Sequence, residues 1–187
     1  MRYPANHKAQ IHKQLVESAG ALVKQQGFGT TGVDALMASV GLTGGAFYGH
    51  FKSKVQLFQE IIGNELGKTR DRFQILSATG DRSQNYRDLV KAYFSRQHLE
   101  QSDTGCPLPS LSSEVARADE AVKQTYEEGL RELHAIVTEQ VGDEIRAWAV
   151  IAMGAGAINL GRAVHSAELQ EELLAACRQV ALNQSSG

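Results

Sequence analysis

Between Leu42 and Lys54 the chain gathers side chains suited to chemistry on a polyanion. Tyr48, His50, Lys52 and Lys54 offer a phenol, an imidazole and two ammonium groups in close succession. Phe47 and Phe51 are four apart and share the inner face of a helix, which turns Tyr48 and His50 outward. Donors of this kind hold phosphate oxygens and fix a register, but carry no base information. The preceding residues, Thr43, Gly44, Gly45 and Ala46, have almost no side chain. They let a helix's first turn, with its free N–H groups and positive end, come close to a phosphate backbone. The Ala46 methyl is of a size to touch a thymine methyl. Thr43 is placed to cap this helix. Upstream, residues 33–40 make a short helix with one apolar face, and Gly41 supplies the tight turn between the two. Helix, glycine turn and a second helix with outward donors form a helix-turn-helix that reads DNA.

The same residues resemble the TetR-like transcriptional regulators. The pattern is Thr31 before the first helix of the motif, Gly41 at the turn and Thr43 as cap. Tyr48-Gly49-His50-Phe51, Ser53-Lys54 and Leu57-Phe58 complete it. The specific match spans about residues 9–66; the remainder agrees in length and helical character. Gly44, Ala46, Gly49 and Val40 depart from the family's usual Lys or polar residue, Thr or Ser, aromatic and Ala. The resemblance implies DNA contacts by Thr31, Thr43, Gly44, Gly45, Ala46, Tyr48, His50 and Lys54, with Tyr48, His50 and Lys54 on phosphates. It also implies a homodimer through the last two helices, an inverted-repeat operator in double-stranded DNA, and a small-molecule inducer held in the body.

Charge divides along the chain in the same sense. Over the whole chain it is −2, but residues 1–54 hold six Lys/Arg against Glu17 and Asp34, or +4, and the rest carries −6. A basic head on an acidic body confines attraction for phosphate to one end. Apolar residues make up 42% of the chain, enough for a packed core. The polar N-terminus lacks the apolar stretch of a secretory signal, and the run from Ala147 to Gly161 is too short to span a bilayer. A cytoplasmic protein without a membrane partner is expected. Cys106 and Cys177 are then not expected to form a disulfide.

The elements that must position these groups follow from periodicity. A first helix over residues 7–26 has Ile11, Leu15, Val16, Ala19, Leu22 and Val23 on one face, with Gly27 as its stop. Thr31 to Asp34 has the spacing of a capping box, and Ser53 to Gln56 is a better one, opening a helix to about Phe73. Further helices are expected over 86–99, 110–116, 118–141, 144–164 and 167–182, with a frayed tail after that. The expectation is an all-α fold: a three-helix DNA-binding head, residues 1–54, and a helical ligand-binding and dimerisation body, residues 55–187. The helix from Ala147 to Ala163 is apolar nearly all round and rich in alanine and glycine. Such a helix must be covered on every side, which suits a dimer seam shared with the last helix.

Tyr93, Tyr126, His134, Trp148 and Met153 are candidates to line the ligand cavity, since such pockets use aromatic walls with a few polar tips. Cys106 precedes a helix start after Gly105 and beside Pro107, where a thiolate is favoured and a redox or electrophile sensor could sit. The G-x-S-x-G, P-loop and H-E-x-x-H patterns do not occur, and the histidines have no metal-pair spacing. Neither catalysis, cofactor nor metal is expected. The reading is a DNA-binding regulator, expected to be a repressor. The competing readings are a thiol-sensing repressor acting through Cys106 and a helical interaction module that does not bind DNA.

Overall fold

The computed structural model describes residues 5–183, with side chains from Lys8 onward. Among these residues the secondary structure is helical throughout. The helix α1 covers Ala5–Gln26 and ends at Gly27, whose φ of +84° is the left-handed stop that the sequence predicts. The helix α2 covers Val33–Ala38. Gly41, at φ +74°, turns the chain into a 3-10 helix over Gly44–Gly49. The helix α3 runs Lys54–Leu76 and is capped by Ser53, whose Oγ accepts from the Gln56 amide at 3.1 Å. Such a cap contributes about 1 kcal/mol.

In the body, α4 covers Arg82–Tyr93, α5 Arg96–Glu100, α6 Leu108–Val115 and α7 Glu120–Val141. Gly142 ends α7 at φ +81°. The helix α8 covers Glu144–Ala163 and α9 Ala167–Asn183. The expected tail lies, past Asn183, outside the described residues.

Three expectations need correction. The motif's second helix is a 3-10 rather than an α-helix. The expected helix over 86–99 starts earlier and is cut in two. Asp81 caps α4 by accepting from the Gln84 amide, and Ser95 caps α5 by accepting from the His98 amide. Two short polar side chains competing for backbone N–H groups override the apolar periodicity across them. Thirdly, Thr31 does not cap α2. Gly32 holds that position without a side-chain bond, and Thr31 is buried with its hydroxyl on the Gly27 carbonyl.

One core runs through head and body. Leu15, Ala19 and Val23 of α1 pack with Leu36 and Met37 of α2, Phe47, Phe51, and Leu57 and Ile61 of α3. The same cluster continues through Leu66 and Phe73 to Leu108, Leu111, Leu133 and Val137 of the body. The long α3 is the shared wall, and α7 lies against it most extensively. Gly129 permits that approach: a Cβ there would come within 2.7 Å of Leu66. In α8, Gly154 and Gly161 serve the same end against α4 and α5. A Cβ on them would lie 2.7 Å from Tyr93 and 2.6 Å from Leu99. At Gly156 a Cβ would meet nothing. The glycines of α8 thus divide between packing inside the subunit and a face left open.

Candidate nucleic-acid interface and effector cavity

The outer end of the head is built by the 3-10 helix. Its residues eclipse every third position, so Gly44 and Phe47 share one side and Gly45 and Tyr48 the other. Phe47 is 1% exposed and Tyr48 is 78% exposed. Phe51, also buried, donates its amide to the Phe47 carbonyl at 3.0 Å and locks the segment to the core. Cβ atoms on Gly45 and Gly49 would meet open space, so bare backbone flanks the projecting phenol on either side. Gly44 has a different reason. A Cβ there would overlap the Asp34 carboxylate of α2, which occupies that place. Ala46 is half-buried, and Thr43 sits at the N-cap position without a side-chain bond, contrary to its predicted capping role.

The basic groups of the motif separate. Lys52 is exposed. Lys54 turns inward: its Nζ donates to the Phe28 carbonyl at 2.8 Å and lies 4.4 Å from the Phe28 ring centroid. The Phe28 ring stacks on Phe58 at 4.0 Å. Lys54 therefore ties the start of α3 to the α1–α2 loop. His50 is partly buried, with Nδ1 enclosed and unpartnered. Burial pushes its imidazole below the usual range, and nearby His12 and Lys8 add to this. His50 is thus a neutral group at neutral pH, able to donate or accept a hydrogen bond. Exposed Tyr48, Gly45 and Lys52 and half-exposed His50 lie together at this end of the head, while Thr31 is interior.

The body holds a cavity of about 350 Å³ between α3, α4 and the chain from α5 to α6. Phe73, Leu76, Leu89 and Tyr93 supply apolar wall; Thr69, Arg72, His98 and Cys106 supply polar wall. Of the five residues predicted to line it, only Tyr93 does. The Tyr126 hydroxyl bonds Ser112 at 2.6 Å, and Met153 packs beside Phe94. His134 and Trp148 stack at 3.9 Å, with Trp148 on the surface of α8. Their stack joins α7 to α8 and lies outside the cavity lining.

Arg72 and His98 were the residues sequence reasoning missed. His98 follows the unforeseen cap at Ser95, which swings it over Tyr93. Its Nδ1–H donates to the Tyr93 carbonyl at 2.8 Å, and its Nε2 accepts from the Cys106 amide at 3.2 Å. This pattern requires the neutral ring. Burial, opposed by the Tyr93 bond and helped by Arg162, Arg72 and Lys24, lowers its pKa to about 4. Cys106 is also not as predicted. It is 1% exposed, and burial raises its thiol above the ordinary value despite the nearby Tyr93 hydroxyl. Tyr93, Thr69 and the Leu108 backbone surround its thiol just before α6 begins, so the segment's sequence mimics an exposed helix start that the packing covers.

Besides the His12–Glu60 bond at 2.6 Å, head and body are fastened at two points nearer the cavity. Lys24 and Glu65, only 1% and 2% exposed at their side chains, pair at 2.5 Å, and Lys68 joins Glu65 at 2.7 Å. Lys24 also donates to the carbonyl of Gly105, in the cavity wall, at 3.0 Å. The second fastener is Glu114 of α6. Its two oxygens accept from the amides of Phe28 and Gly29 at 2.8 and 2.6 Å. The cavity wall is therefore joined to the head by a hydrogen bond at Gly105.

Residues 15–61 match the sequence profile described as bacterial regulatory proteins, tetR family. Among curated protein sequences the chain has no match. Among solved structures it is similar to a TetR transcriptional regulator from Chloroflexus aurantiacus. The TM-score is 0.81 and the identity 20%, covering 95% of each chain. It is also similar to the reduced form of Escherichia coli NemR. There the TM-score is 0.73 and the identity 24%, covering 90% of this chain and 96% of that one. FadR of Bacillus subtilis, solved with stearoyl-CoA, aligns with a TM-score of 0.68 and 15% identity over 94% of this chain and 98% of that one.

Proposed function

We propose, from the membership of this chain's DNA-binding head in the tetR family of bacterial regulatory proteins, that it is a repressor released from its operator by a small molecule. The chain is a DNA-binding transcriptional regulator; repression, dimerisation and ligand control are the finer reading. The observation that carries it is the bare, outward face of the 3-10 helix, with Gly45 and Gly49 open and Tyr48 projecting, on the basic end of the chain. Residues 1–54 serve as the head and 55–187 as the body.

A homodimer is supported by the outer face of the last two helices. Ile145, Trp148 and Leu160 of α8 and Leu169 and Val180 of α9 are exposed apolar groups. Gly156 lies among them with open space before it. A contiguous apolar face of this kind marks an interaction site. Two heads related by a two-fold axis then favour an inverted repeat with half-sites roughly 34–36 Å apart or a multiple.

Ligand control is supported by the two fasteners. A molecule in the cavity acts on the Gly105 segment, which is bonded to the head through Lys24 and leads into α6, itself bonded to the head through Glu114. A ligand that prefers the DNA-incompetent arrangement shifts the population toward it. The test is fluorescence anisotropy with operator DNA, selected from random sequence, at two salt concentrations. Binding that weakens steeply with salt is expected. Absence of any DNA retained from the random pool overturns the reading in favour of an interaction module.

A further inference from the structure

The cavity's electrostatic surroundings point to the class of its ligand, an inference that rests on the reading of this cavity as the effector site. No carboxylate lines it, and its charged wall residue is Arg72. Arg72 gives Nη2 to the Thr104 carbonyl at 3.0 Å, whereas its neighbour Arg70 is ion-paired with Asp71 and Glu132. Behind the His98 wall stands a second arginine balanced only by dipoles. Arg162 donates to the carbonyls of Leu99 and His98 at 3.0 and 2.9 Å and to the Ser110 hydroxyl at 2.9 Å. Arg72 is exposed, whereas Arg162 is half-buried, and partly desolvating a cation without a counter-charge is costly. The field of both arginines, with Lys24 beyond them, reaches the His98 ring and helps hold it neutral. A positive potential over a largely apolar wall is answered by an anion carrying an apolar body. The volume of about 350 Å³ is at the small end for ligand pockets.

We propose that the cavity binds a small aromatic or alkyl monocarboxylate, its carboxylate on the Arg72 guanidinium and its apolar part against Phe73, Leu76 and Leu89. A carboxylate makes charge-assisted, two-pronged bonds to a guanidinium and outcompetes a single carbonyl. The carbonyl displaced is that of Thr104, next to Gly105, whose own carbonyl holds Lys24 of the head. Anion binding thus acts on the chain segment that fastens the head.

The test is calorimetric titration of the full chain with 3-phenylpropionate, 4-phenylbutyrate and octanoate, each against its neutral amide. At least one acid binds about tenfold or more tightly than its amide. Arg72→Gln removes that preference, Arg72→Lys keeps part of it, and Arg70→Gln leaves it unchanged, with circular dichroism confirming the fold of each. Amides binding as well as acids, Arg72→Gln binding the acid like wild type, or no acid binding at all overturns the proposal. The acid–amide comparison on the wild type decides even if Arg72→Gln fails to fold. DNA anisotropy in the presence of the acid is a separate arm. Acid binding without DNA release leaves the carboxylate site standing and removes the ligand-controlled repressor; DNA binding without acid binding does the reverse.

Discussion

The most consequential side chains away from the 3-10 helix are charged and buried. Lys24 and Glu65 are inaccessible to water, and burial lowers the Lys24 pKa against the pull of Glu65. The two substitutions at this pair should therefore differ. Glu65→Leu strands Lys24 in the interior and should destabilise the protein by about 3–5 kcal/mol. Lys24→Met leaves Glu65 still paired with Lys68 and should cost clearly less. Urea unfolding of both variants checks the order; equal losses would mean that Lys68 does not compensate. His98 sets a pH dependence. Its folded pKa of about 4 lies below its ordinary value of 6.5, so the folded state binds fewer protons than the unfolded one. Stability from this group is complete above about pH 6.5 and is lost as pH falls toward 4. The amplitude is on the order of 3 kcal/mol. His98→Gln should flatten the stability curve between those pH values, and an unchanged slope would assign it to other groups. Nothing in the sequence marked His98 or Arg72: the unforeseen Ser95 cap sets His98 between Tyr93 and Cys106, and Arg72 meets the Thr104 carbonyl far along the chain. Tyr48 and Phe47 were legible, since one core aromatic beside one exposed aromatic follows from local geometry.

At the scale of elements, the helices were legible wherever apolar spacing ran uninterrupted, as in α1, α3 and α7. They were not legible where caps compete with periodicity: Ser95 splits one expected helix, and a two-glycine start leaves the recognition segment as a 3-10 turn. Glycine content in α8 suggested a close approach without saying to what. Two of these glycines face Tyr93 and Leu99 of the same chain, and Gly156 faces outward. Gly154→Val should therefore lower stability by about 1–3 kcal/mol through overpacking against Tyr93. Gly156→Arg should keep helix content and core packing, yet convert the proposed dimer to a monomer. Thermal unfolding by circular dichroism with light scattering on the same samples separates the two effects. A dimer that survives Gly156→Arg would place the seam elsewhere.

Across the whole molecule, the proposed function has one end of a helical chain grip DNA with nearly bare backbone. Gly45 is open to solvent beside the exposed Tyr48, so a side chain placed there disturbs no packing and meets only what the head binds. Gly45→Glu adds bulk and a charge of the same sign as phosphate. The decisive measurement is anisotropy of labelled operator, selected by the wild-type protein, titrated with wild type and with Gly45→Glu at one fixed salt concentration. The predicted result is a loss of about a hundredfold or more in affinity, with unchanged helix content and thermal stability. Retention of the operator by Gly45→Glu at the wild-type concentration would contradict the placement of this helix against DNA.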